Sequence, residues 1–276
     1  MDEVGINKGV DLLKKLWTGL ALISLAVLTA CGGGDQEAGQ NKDLLEGIKK
    51  RGEIRIGTEG TYKPFSFRDE KTDQLTGYDV EVAKEMAERM GVKAKFVESP
   101  WDSMLTSLNT GRFDTVANQV GIKEKRKEKY DFTEPYTVSY ATMVVHKEND
   151  EIKELEDVKG KKAAQTPTSN YGKMAEEAGA NIVAYEDMMT AMRDVAAKRA
   201  DVSFNDRLAV AEMMKSVDLP LKTVGKPMEK SEMAFPVPKG NEDLVKAMNQ
   251  ALDEMRQDGT LTEISKKWFG EDVSNP

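Results

Sequence analysis

The chain of 276 residues carries 40 basic and 48 acidic residues, for a net charge of −8. Apolar residues make up 39% and charged residues 32%, which is typical of a folded globular protein of about two domains. No segment is strongly basic, which disfavours nucleic acid as a partner. A single Cys and a single His leave no internal disulfide and little metal or triad chemistry. We therefore predict neither a metal nor a cofactor.

The first thirty residues have the features of a secretory signal. Lys14 and Lys15 precede an uncharged run over residues 16–30, which is shorter than the roughly 20 residues that a membrane span needs. The run ends in small residues directly before Cys31 and resembles a bacterial lipobox. The resemblance implies that Cys31 becomes the lipidated first residue. The alternative is an ordinary cleaved signal followed by a buried core cysteine.

We therefore predict a signal peptide at 1–30 and a lipidated tether at 31–43, which is rich in Gly, Gln and Asp. The mature protein is expected outside the cytoplasm, anchored by lipid to the cell membrane. No second apolar run of spanning length follows, and no output domain, which disfavours the sensor domain of a signalling protein.

From residue 44 onward, short apolar runs alternate with helical periods, as is typical of an α/β protein. Strands are predicted at 53–57, 65–68, 92–98, 113–117, 161–166, 182–185 and 201–205. Helices are predicted at 79–90, 101–109, 170–178, 187–198, 206–215 and 241–258, with Asp79 and Asn241 as N-caps.

These elements predict two βα lobes, one formed by 44–140 plus 237–276 and the other by 141–236. The extended runs at 137–145 and 232–237 pass between the lobes, and we predict that they are the hinge strands.

Several motifs resemble those of a known family. The stretches are GTYKPF at 60–65, LTGYD at 75–79, RKEKYDF at 126–132 and DGTL at 258–261. With the order of the elements, they resemble the type II periplasmic-binding-protein fold, whose members are the solute receptors of ABC importers. Three further stretches, ANQVG at 117–121, TSNY at 168–171 and FNDRLA at 204–209, resemble the L-cystine-binding lipoproteins. The resemblance implies an amino-acid ligand in an interlobe cleft, an ABC permease as partner, and a monomer.

Two charged residues are the predicted partners of a free amino acid, whose carboxylate and ammonium both need partners when they are buried. Arg126 can grip a carboxylate with two parallel hydrogen bonds; the alternative is a solvated run of charges, which we accept for the lysines around it. Asp206 follows a predicted strand and is the amine partner, or else only a helix cap. Glu59 offers a second carboxylate, at a position that varies with ligand in the family.

Aromatic and polar side chains complete the predicted site. Tyr62 and Trp101 provide apolar surface that can hold an aliphatic or disulfide side chain, while Phe65 is expected in the core. Trp101 is as compatible with ordinary core packing. The remaining predicted ligand-binding residues are Asn118, Gln119, Gly121, Ser169, Asn170 and Tyr171. Ser169 is alternatively only the cap of its helix, and His146 is expected to be structural.

The prediction is a receptor that captures an amino acid, with L-cystine first and glutamine, arginine or histidine as alternatives, and closes its lobes around it. An exported dehydratase of the same fold is the enzyme alternative. It needs a spare acid or base in the cleft, and Glu59 is the one obvious candidate.

Overall fold

The computed structural model describes residues 44–228 and 230–275. The predicted signal peptide, Cys31 and the tether at 31–43 lie outside the described residues.

Helices and strands alternate along the described chain. The helices are α1 (Leu44–Arg51), α2 (Tyr78–Arg89), α3 (Trp101–Asn109), α4 (Glu124–Lys127), α5 (Asn170–Glu177), α6 (Met188–Ala196), α7 (Arg207–Ser216), α8 (Glu242–Gln257) and α9 (Thr260–Phe269). The strands are β1 (Glu53–Thr58), β2 (Thr61–Tyr62), β3 (Ser66–Arg68), β4 (Leu75–Thr76), β5 (Lys93–Glu98), β6 (Thr115–Val116), β7 (Tyr130–Phe132), β8 (Thr137–His146), β9 (Lys162–Gln165), β10 (Asn181–Ala184), β11 (Val202–Asp206), β12 (Leu221–Val224), β13 (Lys230–Met233) and β14 (Pro236–Pro238).

The first lobe is built on a parallel sheet of three strands in the order β5-β1-β6. Ile54 and Ile56 of β1 are fully buried, since a parallel strand between helices has apolar neighbours on both faces. Helices α2 and α8 pack together at this core through Met86 and Met248, which are also fully buried.

The second lobe is built on a mixed sheet in the order β10-β9-β11-β8-β12, with β13 added along β8. Strands β9, β10 and β11 are parallel to one another, while β8 is antiparallel to its partners. Phe204 at the centre of β11 is fully buried. In both lobes the parallel strands direct their carboxyl ends toward loops and helix starts, which is where α/β proteins bind ligands.

Two extended segments follow the predicted hinge regions and pair with each other. Strand β8 is antiparallel to β13, with Thr137 opposite Met233 and Tyr140 opposite Lys230. The run predicted at 232–237 is not one strand, because Ala234 and Phe235 separate β13 from β14. Strand β14 then pairs with β7. The chain therefore passes between the two lobes through two neighbouring, paired segments.

Two predicted helix caps are corrected. Helix α2 begins at Tyr78 with Gly77 as its N-cap, so the cap role predicted for Asp79 is wrong. The backbone φ of Gly77 is 130°, a value that residues with side chains rarely adopt. A Cβ atom there would also lie 2.2 Å from the carbonyl oxygen of Phe65, so this turn requires glycine. Asn241 does stand at the start of α8, but its side chain donates to Pro238 instead of capping the helix.

Across residues 44–228 and 230–275, none of the helices combines the length and apolar character that a membrane crossing requires.

Candidate functional site

A cleft of about 580 Å³, including its open mouth, lies at the carboxyl ends of β1 and β6 on one side and of β9 and β11 on the other. Eight of the eleven predicted ligand-binding residues line it: Glu59, Tyr62, Trp101, Asn118, Gln119, Ser169, Asn170 and Tyr171. Gly121, Arg126 and Asp206 do not line it. Arg126 contacts Trp101 and Asp206 accepts from Tyr171, both of which line the cleft, whereas Gly121 contacts Arg126. The predicted site residues therefore lie close together, eight of them in the lining of the cleft and three of them outside it.

Asn118 positions Glu59 at the floor of the cleft. Its Oδ1 accepts from the backbone N of Glu59 at 2.9 Å and from Thr58 Oγ1 at 3.3 Å, and its Nδ2 donates to Glu59 Oε2 at 2.5 Å. Burial raises the pKa of Glu59 to about 7, although the bond from Asn118 opposes the shift. The amide of Asn118 is thus used to hold a carboxyl group in place.

Gln119 turns away from the cleft mouth toward a buried carboxyl group. Its backbone N and its Nε2 donate to Asp79 at 2.9 and 2.6 Å, and its φ of 49° allows both bonds. Burial raises the pKa of Asp79 to about 7. Gln119 Oε1 is buried and has no hydrogen-bond partner within the described chain. Of the Gln119 amide, which was predicted to face a ligand, the nitrogen is engaged inside the lobe and the oxygen has no partner in the described chain.

Arg126 lies on the short helix α4, with its guanidinium carbon 5.4 Å from the centre of the Trp101 ring. Its Nη1 donates to the carbonyl oxygen of Gly121 at 2.9 Å. It forms no ion pair with any residue that the structure describes. Burial lowers the pKa of Arg126 to about 10, so the guanidinium remains charged at neutral pH. It lines a second groove that shares Asn170 with the cleft.

Asp206 lies fully buried behind the cleft, where it caps α7. Its carboxylate accepts from the backbone N of Leu208 at 2.8 Å, from Ser139 Oγ at 2.9 Å and from the Tyr171 hydroxyl at 3.3 Å. Burial raises its pKa to about 6. The cap alternative is therefore confirmed. The predicted contact with a ligand amine stays a prediction, and Tyr171 is the cleft residue that reaches it.

Ser169 also has the role of a helix cap, because its Oγ accepts from the backbone N of Gly172 at 2.9 Å. It faces the cleft as well, so the two roles coexist. His146 ends β8, and its Nδ1 accepts from the backbone N of Glu148.

The aromatic side chains divide as expected. Phe65 is fully buried in the core, whereas Trp101 is 8% exposed and lines the cleft. Tyr62 extends across the cleft and donates from its hydroxyl to Asn205 Oδ1 at 2.7 Å. Tyr62 therefore joins the two lobes directly.

Sequence reasoning missed several cleft residues, among them Gln165, Asp187 and Asn205. Gln165 ends β9, and Asn205 is the next-to-last residue of β11. The rule that ligands meet the carboxyl ends of parallel strands pointed to both. Asp187 caps α6 by accepting from the backbone N of Thr190. Its position at a helix start is visible in the sequence, but its place in the cleft is not. Within the described ranges, no group of three or more His, Cys, Asp or Glu residues is arranged to hold a metal ion.

Comparison with known proteins gives a family match over most of the described chain. The family model for bacterial extracellular solute-binding proteins, family 3, matches residues 54–271. The chain is 48% identical to the L-cystine-binding protein TcyA of Bacillus subtilis (strain 168), over 92% of this chain and 96% of that protein.

Solved structures agree with the fold. The L-cystine solute receptor of Neisseria gonorrhoeae in the unliganded open conformation is 43% identical, with 84% of this chain and 99% of that chain covered and a TM-score of 0.56. An ancestral arginine-binding protein bound to glutamine is 36% identical, with 80% and 99% covered and a TM-score of 0.75. The more identical of these two chains therefore superposes less well.

Proposed function

Because this chain belongs to the bacterial extracellular solute-binding proteins of family 3, we propose that it captures L-cystine in the cleft between its lobes and delivers it to an ABC permease. The α/β fold of two lobes and the cleft at the strand ends are those of an amino-acid receptor. The relatives it matches are named as binding proteins, and the chain is accordingly a binding protein rather than an enzyme.

The observation that supports an amino-acid ligand most directly is the unpaired guanidinium of Arg126. A buried charge is costly unless it is paired, and this one has no carboxylate partner among the described residues. A ligand carboxylate supplies that partner with two parallel hydrogen bonds. On the other lobe, Asp206, which accepts from the cleft residue Tyr171, is the proposed partner of the ligand ammonium.

Cystine is preferred because two relatives that match nearly their whole length are named for it. The cleft also fits a ligand with a polar far end, since Glu59, Gln165 and Asp187 all line it. A purely apolar ligand side chain would leave such groups without partners, at about 1–3 kcal/mol each.

Closure supplies the signal for delivery. In this proposal both lobes hold the ligand at once only in the closed state. The first lobe contributes Asn118, Gly121 and Arg126, and the second contributes Ser169, Asn170 and Asp206. The ligand therefore shifts the equilibrium toward closure, since it binds that state more tightly. In this proposal the lobes are 44–140 plus 237–276 and 141–236, and the paired strands β8 and β13 are the hinge.

Calorimetry on the purified protein tests the ligand. Cystine is expected to bind more tightly than cysteine, glutamine, arginine or histidine, and to be recovered chemically unchanged. Equal or tighter binding of another amino acid contradicts the cystine assignment and favours the alternative receptor, for which the glutamine-bound relative is the precedent. Conversion of the ligand into a product would instead show the dehydratase alternative.

We also propose that Cys31, which lies outside the described residues, is lipidated and tethers the protein to the cell membrane through residues 31–43. Stable attachment needs more than one acyl chain. Cys31→Ser is expected to move the protein from the membrane fraction to the medium or periplasm. A variant that stays in the membrane fraction would show that the anchor is elsewhere.

A further inference from the structure

The polar groups around the cleft fall into two sets. The first set, Arg126 and Asp206, lies behind Asn170 and Tyr171 and suits one carboxylate and one ammonium. The second set, Glu59, Gln165 and Asp187, lines the cleft itself. A ligand with one amino-acid head and an apolar side chain uses the first set and leaves the second set without a partner.

Gln165 has an unused donor. The residue is 3% exposed, its side chain lines the cleft, and its Nε2 is buried without a hydrogen-bond partner in the described chain. Buried amide hydrogens are rarely left unpaired in a folded protein. Gln165 is the last residue of β9, and its backbone pairs with Ala184 of β10, which holds the residue in place at the cleft. An acceptor in the cleft is therefore expected.

Glu59 and Asp187 are carboxyl groups on opposite sides of the cleft. Glu59 accepts from Asn118 and Asp187 from Thr190, but neither forms an ion pair with a residue that the structure describes. Glu59 follows β1 of the first lobe, and Asp187 begins α6 of the second. No Lys or Arg lines the cleft in the part of the chain that is described. Asp187 is close enough to Glu59 to contribute to its raised pKa, so the two carboxyl groups share one electrostatic environment. Two acids facing one cleft without a cation favour a positively charged group between them.

We infer that this part of the cleft binds a second amino-acid head of the ligand, whose ammonium is held by Asp187 and Glu59 and whose carboxylate accepts from Gln165. The inference rests on the proposed function and extends it, since it names the residues that distinguish a disulfide-linked double amino acid from a single one. Lysine-like ligands would satisfy the acids and leave the Gln165 donor unpaired. Glutamate-like ligands would satisfy the donor and repel the acids.

Two variants separate these contacts from the fold. Asp187→Asn removes the charge but keeps a good helix cap for α6, since Asn and Asp cap equally well. Gln165→Leu removes the donor with little change in volume. Glu186→Gln, at the neighbouring exposed carboxylate, is the control. Affinities are measured by calorimetry for cystine and for S-methyl-L-cysteine, which has the first head and the sulfur but no second head.

The expected result is a loss of roughly tenfold or more in cystine affinity for Asp187→Asn and for Gln165→Leu, with S-methyl-L-cysteine affinity within about twofold of the unmodified protein. The control is expected to bind both compounds normally. Unchanged cystine affinity in both variants overturns the inference, and so does an equal loss for both compounds, which would indicate a structural role.

The unmodified protein distinguishes the two failures. If it binds cystine but the variants do too, the inference fails and the proposed function stands. If it binds S-methyl-L-cysteine as tightly as cystine, or binds cystine not at all, the cystine assignment fails and the second head site falls with it.

Discussion

Arg126 carries a partly buried charge that has no ion-pair partner in the described chain. Its guanidinium rests on the Trp101 ring, and one nitrogen bonds to the backbone at Gly121. A methyl group at Gly121 would lie 3.7 Å from Arg126 Nη1, which shows how closely the backbone approaches the cation. Its other N–H groups form no hydrogen bond with residues that the structure describes.

The first prediction separates Arg126 from its neighbours on the same charged helix. Arg126→Ala is expected to weaken ligand binding by at least about thirtyfold, because the ligand carboxylate would be buried unpaired. Lys125→Ala is the control, since Lys125 is exposed and an exposed charge contributes little. Calorimetry with the best ligand of the panel gives both affinities. Small and equal losses in the two variants would show that Arg126 is not the carboxylate partner.

The second prediction concerns the pH dependence that Asp79 gives to stability. The pKa of Asp79 is raised from 3.8 to about 7, mainly by burial, so between these values the folded protein binds a proton that the unfolded chain releases. Stability is therefore expected to fall as pH rises from about 4 to about 7.

Asp79→Asn should flatten this slope, as measured by urea unfolding at pH 5 and pH 7.5. Asp206 and Glu59 keep part of it, because their pKa values are raised in the same direction. Asp243→Asn on the exposed face of α8 is the control. A slope that persists unchanged in Asp79→Asn would mean that Asp79 is ionised in the folded protein.

Among the elements, the β9–α5 connection contributes two residues to the second lobe's side of the cleft and positions the start of α5. Thr166 and Ser169 both lie in this connection, and Ser169 caps the helix that follows. Gly172 in the first turn of α5 lets the connection pack closely. A side chain there would lie 2.6 Å from the carbonyl oxygen of Thr166 and 3.0 Å from that of Pro167. Helix α5 and the preceding loop can therefore pack this closely because residue 172 has no side chain.

The third prediction tests this packing with one added methyl group. Gly172→Ala is expected to destabilise the protein by about 1–3 kcal/mol and to weaken ligand binding, because backbone atoms at Thr166 must move. Gly47→Ala in α1 is the matched control. A methyl group there would lie 3.5 Å from Arg51 Nη1, an ordinary van der Waals contact, and alanine is favoured over glycine in a helix by up to about 1 kcal/mol. Urea unfolding and calorimetry of both variants report the two effects. A Gly172→Ala protein as stable as Gly47→Ala would contradict the packing argument.

At the scale of the whole molecule, protein groups alone already bridge the cleft. Tyr62 bonds to Asn205, and Thr168 Oγ1 donates to Asp102 Oδ1 at 2.5 Å. Lys63 pairs with Glu212 on α7 at 3.2 Å. The two lobes are thus in direct contact through these side chains. Such contacts add to the stability of the closed state and so to ligand affinity.

The fourth prediction follows from this closed arrangement. Lys63→Ala is expected to lower ligand affinity up to about fivefold, since an exposed ion pair contributes at most about 1 kcal/mol to closure. Lys95→Ala is the matched control, because its pair with Glu53 has the same distance of 3.2 Å but lies within one lobe. The difference between the variants should shrink at about 1 M salt. Equal affinities at low salt would show that the Lys63 pair does not favour closure.

The sequence by itself determined the alternation of helices and strands that is typical of an α/β fold, since hydrophobic period and helix caps are read over a few neighbouring residues. Helix α3 was predicted with its observed bounds, and Asp206 and Ser169 were predicted as candidate caps at the starts of α7 and α5, where the structure has them. Sequence reasoning missed α1 and α9 because their apolar faces are short and receive their partners from distant parts of the chain.

The family was also evident from local motifs, and eight of the eleven predicted site residues do line the cleft. Only the tertiary structure decided which polar groups are already used and which remain free. Gln119 bonds to Asp79, 40 positions earlier, and Tyr62 to Asn205, 143 positions later. Hydrogen-bond partners at such separations depend on how the elements pack, and no local pattern encodes them. For the same reason, the unpaired atoms of Arg126 and Gln165 become visible only once every nearer partner has been placed.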